Sequence, residues 1–73
     1  MSQRSALVEA MRQWIDERSE QHTLLGLWIA KAHRLVELRP DIEALLADVR
    51  TGKSFRPSYA EFVEPVLARF DSK

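Results

Sequence analysis

The sequence predicts an all-α fold: a compact bundle of about four short helices forming a single domain over residues 1–73. Three observations predict it. Apolar residues recur at helical spacing along almost the whole chain, no stretch shows the alternation of a half-buried strand, and capping or helix-breaking residues fall between the periodic segments.

At about 100° of rotation per residue, Leu7, Val8, Ala10, Met11, Trp14 and Ile15 share one arc, and Glu9, Arg12, Gln13 and Asp16 lie opposite. This predicts an amphipathic helix from about Gln3 to Arg18. Ser2 is its expected N-cap, because the hydroxyl accepts from an amide that otherwise lacks a partner.

Ser19 caps a second expected helix, running to about Leu38. Its main arc, about 140° wide at that rotation, holds Leu24, Leu25, Trp28, Ile29, Ala32, Leu35 and Val36. Leu27 and Leu38 fall on the far side, flanking Lys31 and Arg34. Gly26 and Ala30 form a strip of small residues suited to the close approach of another backbone. A helix apolar on more than one side is central to its bundle or carries a second interface.

Arg39-Pro40-Asp41 ends that helix and starts the next, since proline disfavours helical geometry in the residue before it yet suits a first helical turn. Ile42, Leu45, Leu46 and Val49 follow at i, i+3, i+4 and i+7, and the third helix closes at Thr51-Gly52. Ser58-Tyr59-Ala60-Glu61 then matches a capping box. Tyr59, Phe62, Val63, Val66, Leu67 and Phe70 share an arc only if the fourth helix continues through Pro65, which lies on the polar face. One helix kinked at Pro65 is therefore expected, with two short helices as the alternative.

Composition narrows the function. Eleven Lys and Arg balance eleven Asp and Glu, so no net charge steers the chain to nucleic acid or membrane, and the absence of cysteine excludes disulfides and thiolate zinc sites. The polar start and the charges at Glu9 and Arg12 break any signal-peptide stretch, which predicts a cytoplasmic chain. No apolar run reaches the roughly 20 residues of a membrane span.

Catalytic and metal motifs are weak. Gly52-Lys53-Ser54 resembles the end of a phosphate-binding loop, but Ala47 stands where the first glycine belongs and the lead-in is helical. His33 and Glu37 are one turn apart without the further ligands of a helical metal site. Neither Gly26 nor Gly52 sits in the apolar setting of a helix-turn-helix. The expectation is a non-enzyme with no cofactor, metal or small-molecule substrate. Trp14, Trp28, Tyr59, Phe62 and Phe70 all lie on apolar arcs and are expected in the core.

Two surfaces remain. Leu27, Lys31, Arg34 and Leu38 combine aliphatic anchors with cations on one helix face and make the candidate partner-binding surface, with burial in the core as the competing assignment. Arg50, Lys53 and Arg56 flank Phe55 in a loop without acids, a candidate anion or nucleic-acid contact. So small a core is thin and gains from association. The leading expectation is a non-catalytic helical protein–protein interaction module, an adaptor, regulator or inhibitor, that forms a homodimer or docks on a larger protein. A nucleic-acid-binding regulator using the basic loop across a dimer comes second, and a small subunit of an enzyme assembly third.

Overall fold

The four expected α-helices form, with some of their ends displaced and with no side-chain capping bond from Ser19. In a computed structural model describing residues 3–71, the α-helices are α1 (Gln3–Asp16), α2 (Glu20–His33), α3 (Arg39–Arg50) and α4 (Ala60–Asp71). Short 3-10 turns, Val36–Leu38 and Pro57–Tyr59, lead into α3 and α4. The expected cap Ser2 lies outside the described residues.

The ends differ from expectation for local reasons. Arg18 adopts a left-handed conformation (φ 58°), and its guanidinium donates to the Ile15 carbonyl at 2.8 Å, so α1 stops at Asp16. The second helix stops at His33 rather than Leu38 because Arg34 is also left-handed (φ 51°) and the Leu35 amide turns back to the Ala30 carbonyl at 2.9 Å. This reversal aims Leu35 and Leu38 into the interior, where both are fully inaccessible. Arg4 of α1 clasps the turn, donating to the Arg34 carbonyl at 3.0 Å and, through two nitrogens, to both Glu37 carboxylate oxygens at 2.8 Å.

As expected, α3 has proline in its first turn and closes on Gly52, whose φ of 78° glycine adopts without steric cost. Ser58 lies inside a 3-10 turn rather than capping α4, which begins at Ala60. The fourth helix does run unbroken through Pro65, which is exposed.

Ion pairs show how the helices run relative to one another. Arg12–Asp41 and Arg18–Asp48, both at 3.0 Å, hold α1 beside α3 running the same way. Arg39–Asp71 at 2.6 Å and Arg50–Glu64 at 3.7 Å hold α3 against α4 running the opposite way. With α1 and α2 joined as an antiparallel hairpin, α2 and α4 become parallel neighbours whose N-termini lie at the same end.

Ile15, Leu45, Val49, Val63 and the two turn leucines form the centre of the core. The small-residue strip of α2 faces inward as the sequence suggests: a Cβ on Gly26 would sit 3.2 Å from Ile15 Cγ1, so glycine is what lets α1 and α2 approach this closely. Tyr59 and Phe70 are buried and Trp14 is half-buried, but Trp28 and Phe62 are not in the core.

Candidate interaction surface

The inward face of α2 consists of Thr23, Gly26, Leu27 and Ala30, so most of the arc read as core, Leu24, Leu25, Trp28, Ala32 and Val36, is turned to solvent, while Ile29 is half-buried and Leu35, beyond the end of α2, is in the core. Trp28 is 69% exposed and Leu25 49%, with Leu24 beside them at 37%. Only one side of an all-round apolar helix fits against a bundle, and here the side with the smallest residues brings the backbones closest.

Phe62 of α4, 54% exposed, stands next to this face. Between the helices runs an open groove of about 280 Å³, with Leu24, Trp28 and Lys31 on one wall, Glu61, Phe62 and Pro65 on the other, and Leu27 and Val66 beneath. Small-molecule pockets are usually enclosed and about 300–1,000 Å³. This groove falls below that range and lies open on the surface, a shape suited to side chains of another protein.

Both ends of the groove are charged. At the N-terminal end, Glu20 borders a recess with Arg56, Tyr59 and Phe62. Burial pushes the Tyr59 phenol up to about 12, and the nearby Glu20 charge adds to the shift. At the C-terminal end, Trp28, Lys31 and Ala32 meet Arg69.

The expected partner face does not form. Leu27 is 2% exposed and Leu38 fully buried, so both are core, and the early end of α2 removes Leu38 from the helix that carries Lys31. Arg34 donates to the Phe70 carbonyl at 3.0 Å, tying α2 to the end of α4. Of the four, Lys31 stands on a wall of the groove and Leu27 lies in its floor.

Nor does the basic loop gather its charges. Arg50 lies 3.7 Å from Glu64, and the amides of Lys53 and Ser54 both turn back to the Asp48 carbonyl (2.8 and 3.2 Å), finishing α3 instead of facing an anion. Phe55, left-handed at φ 62°, stacks on Tyr59 with ring centroids 4.4 Å apart. Lys53 and Arg56 stay exposed, without an ion pair among the described residues. Glu37 bonds Arg4 rather than His33, and no group of three potential metal ligands occurs among the described residues. No helix among them is long and apolar enough to cross a membrane.

Trp28, Leu24, Leu25 and Phe62 were thus assigned to the wrong side by periodicity. A usable signal was present: Gly26 and Ala30 lie opposite Trp28 on α2, and a small-residue strip marks the side of closest packing. Comparison with protein-family models, curated proteins and solved structures finds no match for this chain. The fold and surface define a small all-α bundle with an apolar groove between two parallel helices.

Proposed function

We propose that this chain is a non-catalytic helical protein–protein interaction module, an adaptor, regulator or inhibitor acting in the cytoplasm, and that it works through the α2–α4 groove. Support comes above all from Trp28: a tryptophan 69% exposed beside an exposed phenylalanine, on a rigid helix, is costly to leave in water and is the residue type that anchors protein interfaces.

The test is affinity capture from a lysate of the organism that makes the protein, comparing wild type with Trp28→Glu, Phe62→Glu and the loop variant Lys53→Glu, each confirmed helical by circular dichroism. Wild type and the loop variant are expected to retain the same bound protein, and both groove variants to lose it. Capture indifferent to Trp28 and Phe62 overturns the proposal. Nuclease-sensitive capture that is lost only in the loop variant favours nucleic-acid binding instead.

A further inference from the structure

The charges around the groove are arranged by helix direction. Glu20 and Glu61 lie in the first turns of α2 and α4, and Lys31 and Arg69 in their last turns, each complementing its own helix dipole. Because the two helices are parallel, Glu20 and Glu61 lie toward one end of the exposed apolar face, where Arg56 offsets part of their charge, and Lys31 and Arg69 lie toward the other. None of these four side chains has an ion pair among the described residues, whereas between α1, α3 and α4 the charges pair off as Arg12–Asp41, Arg18–Asp48 and Arg39–Asp71.

Glu20 and Lys31 are about 16 Å apart along the helix, at about 1.5 Å per residue. That exceeds the screening length of about 10 Å at 0.1 M salt, so a partner senses the two ends separately. An acidic partner is repelled at one end and a basic partner at the other. The complementary surface is one with the same apolar centre and the charge order reversed, and this chain's own face, turned end for end, is such a surface.

We infer that a second copy of this chain covers the α2–α4 face, related by a two-fold axis that lies in the contact plane and runs across the helices, so that Glu20 and Glu61 of each copy meet Lys31 and Arg69 of the other around a shared centre of Trp28 and Phe62. A two-fold axis along the helices would instead set acid on acid and base on base. The crosswise axis makes the contact isologous, pairs both charged ends and sets the helix dipoles of the two copies antiparallel. With no net charge, the copies carry no overall repulsion to overcome. The pairing rests on the proposal that this groove is a protein-binding surface, and names its occupant.

The test is sedimentation equilibrium of the purified full chain over a wide concentration range, with helicity checked for each variant. Wild type is expected to dimerise, and both Trp28→Glu and the milder Trp28→Ala to weaken the dimer, the former by about thirtyfold or more, as loss of a central aromatic anchor does. Lys31→Glu/Arg69→Glu and Glu20→Lys/Glu61→Lys should each weaken self-association by about tenfold, yet associate with one another at least as tightly as wild type does with itself. A wild-type chain that stays monomeric, a dimer indifferent to Trp28, or two charge variants that do not recognise each other overturns the pairing. A monomer that still captures another protein through Trp28 overturns only the second copy and leaves the interaction module standing. A dimer indifferent to Trp28, with capture equally indifferent, removes both.

Discussion

Helices α2 and α3 divide apolar residues in opposite ways. In α3, Ile42, Leu45, Leu46 and Val49 are buried, and the opposite side carries Glu43, Ala44 and Ala47 to solvent. In α2, both sides are apolar: Leu27, Ala30 and Gly26 face the core, while Leu24, Leu25 and Trp28 face water. An amphipathic helix completes its burial within the domain. A helix apolar all round has more surface to bury than a bundle of this size can cover, so its second side stays in water. The largest side chain of α2 is on that second side, and the close approach at Gly26 explains why: a tryptophan there would hold α1 and α2 apart.

The sharpest way to break this contrast is to cut side chains from each face. Leu45→Ala in α3 and Leu27→Ala in α2 should each cost about 2–5 kcal/mol through lost burial and a cavity. Trp28→Ala should change stability by no more than about 0.5 kcal/mol, as exposed substitutions do. Urea unfolding at concentrations low enough to keep the chain monomeric measures all three. A Trp28→Ala cost comparable with that of Leu27→Ala would place the tryptophan in the core and remove the difference between the helices.

The inward face of α2 also contains a polar residue. Thr23 is fully buried, and its Oγ1 has no hydrogen-bond partner among the described residues. A desolvated hydroxyl without a partner costs stability, so Thr23→Val, which exchanges it for a methyl of similar size, should stabilise by about 1 kcal/mol. Thr23→Ser keeps the hydroxyl, loses the methyl and should move stability the other way. Paired denaturation midpoints decide it, and a destabilising Thr23→Val would mean that the hydroxyl is in use.

Much of the fold was legible because local chemistry and packing agree. Proline at the start of α3, Gly52 at its end and the apolar spacing between them each have one physical solution, and the arc of α4 required a helix through Pro65. The face of α2 was not legible from periodicity, since the wheel has two apolar sides and tertiary packing chooses between them. Its C-terminus was hidden for another reason: Arg34 in a left-handed conformation has no strong sequence signal, and the clasp that supports it comes from Arg4, thirty residues away. Losing that turn cost the candidate site, because Leu27 and Leu38 share a helix face only if α2 continues to Leu38.

The turn between α2 and α3 supplies the smallest expected effect. The Glu37 carboxylate accepts from the Arg4 guanidinium at both oxygens, and this hydrogen bonding holds its pKa below the ordinary carboxylate value, with the Arg4 charge adding to the shift. A carboxylate whose pKa is depressed by folding contributes stability that is fully present above its unfolded pKa and is lost as pH falls through the folded one. The loss therefore falls on the acidic side of the usual carboxylate range. Both side chains are well exposed, so solvent and salt screen the pair and its share of stability is small. In Arg4→Gln the Glu37 carboxyl resonance, followed by NMR, should titrate at higher pH than in wild type, and the difference should narrow as salt is added. The decisive comparison is with the packing it secures. If the clasp holds the turn, amides from Leu35 to Leu38 should exchange with solvent faster in Arg4→Gln while those of α3 from Ile42 to Val49 stay protected. Unchanged exchange at Leu35–Leu38 would show that burial of the two leucines keeps α2 short without help from Arg4.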